Sequence, residues 1–80
     1  MVAEASGLIG LRVKASKAEY YPGGRIYEKE VANDLVGRIA AFDVEVTDYI
    51  YDTAYHEIEV TIEDDNGKHW YAKLDDVSVA

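Results

Sequence analysis

Two histidines, sixteen carboxylates and seven tyrosines are the side chains here that could do chemistry, since the chain has no cysteine. The densest group is His69 with Glu63 and Asp64. If the flanking segments pair as a hairpin, His69 faces outward opposite Glu63, and the three together read as a divalent-cation site. They lack the ligand spacing that such sites use, and an exposed cross-strand Glu–His pair explains the same residues. His56 lies at the start of its own strand, at the opposite parity. Asp64-Asp65-Asn66-Gly67 looks like the opening of a calcium loop, but an EF-hand needs glutamate at the twelfth position, where Asp75 stands beyond a strand. Asx residues in a tight turn account for it. No metal and no cofactor are expected.

For catalysis there are Ser6, Ser16 and Ser78, in frayed, loop and terminal settings, and no nucleophile–base or paired-carboxylate constellation meets the geometric requirements of a site. Eighty residues also leave little room for a pocket of about 300 Å3. A non-enzymatic protein is the expectation. The tyrosines are the stronger lead. Seven of them against one phenylalanine is a skewed choice, because tyrosine adds to its ring a hydroxyl that prefers a wet end, as interfaces provide. Tyr20, Tyr21, Tyr49, Tyr51 and Tyr55, with Asp48 and Asp52, form a candidate partner-binding patch, acidic and aromatic, suited to a basic protein surface. The competing account is that these rings complete a core short of large aliphatics.

The elements that must position these residues are strands. Ile58, Val60 and Ile62 alternate with Glu57, Glu59, Thr61 and Glu63; Trp70, Ala72 and Leu74 alternate with His69, Tyr71 and Lys73. A two-residue turn at Asn66-Gly67 would put Lys73 opposite Val60 on the apolar face. A three-residue loop, Asp65-Asn66-Gly67, with Gly67 left-handed in a G1 bulge, instead pairs Ile62 with Trp70, Val60 with Ala72 and Ile58 with Leu74. It also sets Glu59 opposite Lys73. Earlier in the chain, Ile9, Leu11, Val13 and Ala15 mark a first strand from Leu8, whose Arg12 and Lys14 should pair with acids on a neighbour. Ser16 to Gly24 reads as a loop with a type II turn at Pro22-Gly23, one of Tyr20 and Tyr21 acting as a lid on the barrel and the other exposed.

Arg25 to Asp34 carries Tyr27, Val31 and Leu35 at helical spacing, which predicts a helical turn or two within a long loop, near residues 28–35; an irregular edge strand over Ile26 to Val31 is the alternative. From Val36 to Tyr49 the pattern is β again. Its dry face changes parity between Ile39 and Phe42, with Val44 and Val46 following, so a bulge near Ala40 should bend the strand. Gly37 removes a side chain where strands crowd. Asp48 to Tyr55 connects to the hairpin, with Tyr49 and Tyr51 on one face if the strand continues. Leu74-Asp75-Asp76 suggests a 3-10 turn, and Val77 to Val79 a last strand.

The whole is one small all-β, mainly antiparallel domain over residues 1–80, with net charge −8. Residues 1–40 hold six Lys/Arg against five Asp/Glu, whereas residues 41–80 hold two against eleven, so direct nucleic-acid binding is disfavoured. No apolar run approaches the ~18 residues of a membrane span and the start lacks a secretory pattern, so a cytoplasmic protein without membrane contact is expected.

Gly7-Leu8-Ile9-Gly10-Leu11-Arg12-Val13 at the start, Leu35-Val36-Gly37-Arg38-Ile39 before the bent strand, and Asp64 to Lys68 with Leu74-Asp75-Asp76-Val77 at the end follow an order that resembles the SH3-like small β-barrels. The resemblance covers most of the chain as topology and implies a five-stranded barrel. In eukaryotic SH3 domains an aromatic-rich strand near the start helps bind proline-rich peptides; Val13 to Tyr20 lacks that cluster, so this activity is not implied. Two functions remain. One is an interaction module or accessory subunit, monomeric or a small homo-oligomer, that docks a basic protein through the tyrosine-bearing surface. The other is a nucleic-acid mimic, encoded by a phage or mobile element, whose Asp43, Glu45, Glu57, Glu59, Glu63, Asp64 and Asp65 occupy the basic channel of a DNA- or RNA-binding enzyme.

Overall fold

The computed structural model describes residues 7–51 and 53–80; the side chains of Ile26, residues 45–50 and Tyr55 lie outside that description. It is all-β, a single sheet of five antiparallel strands. These are β1 (Arg12–Tyr20), β2 (Glu30–Ile50), β3 (Thr53–Glu63), β4 (His69–Lys73) and β5 (Val77–Val79), with one-turn 3-10 segments at Pro22–Gly24, Ile26–Glu28 and Leu74–Asp76. The order is β2-β3-β4-β1-β5, and a further β1–β2 pairing closes β2, β3, β4 and β1 into a ring. Closure removes most of the edge problem that a small sheet faces.

The β3–β4 hairpin has the expected register: Ile62 faces Trp70, Val60 faces Ala72, Glu59 faces Lys73 and Glu63 faces His69. Its loop is the three-residue form. Asp64 N–H donates to Lys68 O at 2.9 Å, Gly67 N–H donates to Asp64 O at 3.0 Å, and Gly67 has φ 78°. The core consists of Val13, Ala15, Ala18, Ile39, Val60, Ile62, Trp70 and Ala72, with Leu11, Tyr20, Leu35, Phe42 and Val77 packed against it. Ile58 and Leu74, expected inside as a facing pair, are exposed, and so is Val44. β4 ends at Lys73, so Leu74 begins the 3-10 turn and does not pair with Ile58, and the β2–β3 pair runs on beyond the end of β4.

Two predicted boundaries are corrected. The first strand does not start at Leu8, since Gly7 and Leu8 are helical and Ile9 and Gly10 form a turn, and it does not end at Ala15. Gly10, at φ 89°, instead donates its N–H to Ile39 O at 2.7 Å and brings the chain into the sheet. Ser16 to Tyr20 is strand rather than loop, hidden by a parity change: Val13 and Ala15 are buried, and then Ala18. Facing that change, Asp34 takes φ 57°, a left-handed conformation that aspartate tolerates better than most residues. The segment near residues 28–35 is likewise not helical. Glu30 to Leu35 is β2 paired with β1, and the helical turn is a single 3-10 turn over Ile26–Glu28. Spacing at four residues was shared by Tyr27, Val31 and Leu35, but Tyr27 and Val31 are exposed and bury no helix face.

The bend in β2 lies where the parity change put it, with the register shifting between Ile39 and Ala41. A second shift lies between Val46 and Asp48. At Gly37, opposite Val13, an added Cβ would sit 2.5 Å from Glu63 O and 2.7 Å from the Ile62 side chain. The strand can cross from β1 to β3 there because glycine has nothing to collide. Pro22-Gly23 forms the expected turn, Gly24 N–H donating to Tyr21 O at 3.0 Å with Gly23 at φ 60°. Leu74–Asp76 and Val77–Val79 match their expected ranges, and β5 returns onto β1 with Val79 facing Val13.

Candidate functional site

Among the described residues a groove of about 910 Å3 opens along the sheet, larger than the chain length suggested. Strand order builds it. β4 supplies the floor with Tyr71, Ala72 and Lys73; Lys17 and Glu19 of β1, with Tyr21, form one wall; Asp43 of β2 and Glu57, Ile58 and Glu59 of β3 form the other. With Asp76, five carboxylates line it against the two lysines. Tyr21 and Tyr71 are both half-buried, with ring centroids 6.0 Å apart.

The register concentrates charge on the β3 side. Asp43 faces Glu59 and Glu45 faces Glu57, two successive acid–acid positions across the β2–β3 ladder. Directly opposed like charges destabilise a sheet, so the Asp43–Glu59 pair is held at a cost and favours a cation beside it. Lys73 is one such cation: it faces Glu59 in the register, and its Nζ lies 3.6 Å from Glu57. On the opposite wall, Glu19 accepts from Lys29 Nζ and from the Tyr21 hydroxyl, each at 2.9 Å. The Lys29 hydrogen bond first, then the tyrosine hydroxyl, hold its carboxyl below the usual glutamate range against the opposing effect of burial. Glu19 therefore stays ionised at neutral pH and fixes the Tyr21 ring.

The predicted patch divides. Tyr20 is the lid: it packs against the core with its ring 5.6 Å from Trp70, and Lys68 Nζ lies 4.1 Å above it. Tyr21, the other of the pair, is half-buried in the groove wall rather than exposed. Tyr51 stands at the far tip of the β2–β3 arm, 96% exposed, and so is no core residue. It does not continue the strand with Tyr49, because β2 ends at Ile50, which pairs with Thr53, and Tyr51 turns with φ 49°. Asp48 to Tyr55 is accordingly the end of a hairpin rather than a connecting loop. Asp52 and the side chains of Asp48, Tyr49 and Tyr55 lie outside the described residues. Tyr71 was missed by sequence reasoning. Its alternation with Trp70 and Ala72 marked it as outward-facing, and only the closure of β4 against β1, where Glu19 meets Tyr71, reveals that it floors a concavity.

The other constellations are structural. Asp64 accepts Asn66 and Lys68 N–H groups on Oδ1 and the Trp70 indole N–H on Oδ2, all at 2.9 Å, so its oxygens serve the turn and the core. Those bonds, Trp70 foremost, keep its carboxyl below the ordinary aspartate range. His69 Nε2 lies 3.6 Å from Glu63, an exposed cross-strand pair. Arg12 pairs with Asp65 at 3.7 Å and Lys14 with Asp34 at 3.8 Å, as cations on a wet strand face do. No helix among the described residues is long and apolar enough to cross a membrane. No protein-family model matches the chain, and neither a curated protein nor a solved structure matches it.

Proposed function

We propose that the chain is a non-enzymatic interaction module with an SH3-like barrel architecture that receives a basic protein in its acidic, tyrosine-lined groove. The architecture is supported by β5 returning onto β1 after a 3-10 turn, and by the long bent β2 that pairs with β1 through its first half and β3 through its second. The observation that carries the function is the groove itself: a concave sheet face joining two half-buried tyrosines to five carboxylates. Tyrosine supplies contact area at low entropic cost and carboxylates supply orientation and encounter rate.

Panning a displayed library of random peptides against the whole chain tests this. Binders are expected whose retention is lost in a Glu57→Gln, Glu59→Gln double variant with native circular dichroism, and weakened in Tyr71→Phe if the hydroxyl takes part. Recovery of no groove-dependent binder sinks the proposal.

The successive acid pairs Asp43/Glu59 and Glu45/Glu57 also support the second reading, a nucleic-acid mimic, because they set two rows of acids on adjacent strands. Such a protein would inhibit a nuclease or polymerase in a manner that weakens steeply between about 50 and 200 mM salt. The tyrosines favour the first reading, since mimicry of a phosphate backbone has no use for rings in the groove.

A further inference from the structure

β3 is paired with β2 along one edge from Thr53 to Glu63, but with β4 along the other from Glu59 to Glu63 alone. At Leu74 the chain leaves the sheet in a 3-10 turn. Among the described residues, therefore, no strand pairs with the second edge of β3 between Thr53 and Ile58. A notch of about 240 Å3 opens there, between His56, Glu57 and Ile58 on one side and Lys73, Leu74 and Asp75 on the other. It continues into the groove through Glu57, Ile58 and Lys73.

We propose that this open edge takes an extended segment of the partner as an added strand, in line with β4, and that the segment alternates lysine or arginine with apolar residues. The proposal rests on the interaction-module reading and specifies its ligand. An unpaired strand edge presents backbone donors and acceptors that template another strand, and side chains on alternate positions set which strand is accepted. On one face of β3 the incoming residues would meet Glu57, with Glu59, already opposite Lys73, next along the same face; on the other they would meet Ile58, 41% exposed, beside Leu74, 42% exposed. Lys73 already shows the favoured pairing, since it faces Glu59 in the register and reaches Glu57 from the last residue of β4. The incoming strand carries that pattern on from where β4 stops.

Charge also disfavours the simplest rival. A second copy adding edge to edge about a two-fold axis would bring together the Glu57-bearing edges of two chains that each carry −8. The edge is thus guarded against its own kind and open to a cationic strand, a division that natural sheets achieve with charged edges.

The probe is a blocked hexapeptide alternating lysine and valine, titrated against the full chain by fluorescence anisotropy and followed by backbone hydrogen exchange. Binding with slowed exchange of amides between Thr53 and Ile58 is the expected result. Replacing the lysines by glutamate should abolish binding, and N-methylating the peptide backbone along one edge should abolish it too, leaving charge unchanged. A Glu57→Lys, Glu59→Lys variant should weaken the lysine peptide at least about fivefold and favour the glutamate peptide instead. If the N-methylated peptide binds as well as its parent, or protection appears elsewhere, strand addition is wrong although groove-dependent binders from the library would still uphold the module. Uncharged library binders protecting the same amides would overturn the charge requirement, and concentration-dependent dimerisation protecting them would make the occupant a second copy. If neither the library nor the hexapeptide yields a binder, the module reading falls and this inference with it.

Discussion

Glu57 and Ile58 carry the alternation of the second half of β3 back into its first half, yet the two halves meet opposite fates. From Glu59 to Glu63 the strand lies between β2 and β4, and Val60 and Ile62 are wholly inaccessible to solvent. From Thr53 to Ile58 β2 is its one strand neighbour among the described residues, and Ile58, four residues from Ile62 and on the same side of the pleat, is 41% exposed. Period-two patterning records which side of a strand is dry when the strand is covered, but coverage depends on how far other strands extend, and β4 stops at Lys73. The covered half ties the ring of strands to the core. The uncovered half keeps an edge that no described strand pairs.

The largest expected effect sharpens that contrast within one residue type. Ile62→Ala should cost about 2–5 kcal/mol, comparable with the whole stability of so small a domain, and Ile62→Val about 0.5–1.5 kcal/mol should the alanine variant not fold. Ile58→Ala should cost less than about 1 kcal/mol, since much of its surface is already wet. Urea titrations of the three variants give the comparison directly. Equal losses at Ile58 and Ile62 would mean that the arm is covered in solution.

Gly37 tests the seam where the covered half is sealed. Its missing Cβ leaves room for Glu63 O and the Ile62 methyl group, so Gly37→Ala must push a backbone carbonyl aside. Overpacking of this kind costs about 1–3 kcal/mol, and the expected thermal unfolding shift is downward by several degrees. Unchanged stability would show that the crossing of β2 is looser than drawn.

The hairpin tips differ as the halves of the strand do. At the β3–β4 tip, Asp64 holds the turn and the Trp70 indole together, and Asp64→Ala should cost about 1–3 kcal/mol by leaving buried or turn donors without their acceptor. Since its carboxyl titrates lower when folded than when unfolded, its contribution is complete above the ordinary aspartate range. It is lost as pH falls through the depressed folded value. Glu19 behaves with the same sign in the glutamate range. Urea titrations at pH 7, 5 and 3 should therefore show the penalty of the alanine variant shrinking toward acid. A penalty constant with pH would assign the effect to shape rather than charge.

The same contrast explains what could be seen before the structure. The β3–β4 register, its bulged loop, the bend near Ala40 and the space at Gly37 all follow from local parity and turn chemistry, and each was legible because a covered strand must keep its dry face dry. Ser16 to Tyr20 and Glu30 to Leu35 were not, because Asp34 and the matching change in β1 break the alternation in both strands at once. Each half looks irregular alone and regular only when paired. Of the candidate patch, the chemistry was visible in the count of tyrosines and acids, whereas the groove was not. Glu19 and Tyr71 are fifty-two residues apart and become neighbours only through barrel closure.

The arm tip should give the smallest effect and the clearest sign. Tyr51 takes φ 49°, in the left-handed region where a β-carbon is strained, and its ring is 96% exposed, so neither backbone comfort nor burial accounts for a tyrosine there. Asparagine accepts that conformation more readily. Tyr51→Asn should then leave urea stability unchanged or raise it by a few tenths up to about 1 kcal/mol, opposite in sign to every substitution in the covered half. If the substitution also weakens peptides retained by the whole chain, the strain is kept for binding. A loss of stability beyond about 1 kcal/mol would place the ring against something in solution, and the exposed half of the molecule would have to be redrawn as a covered one.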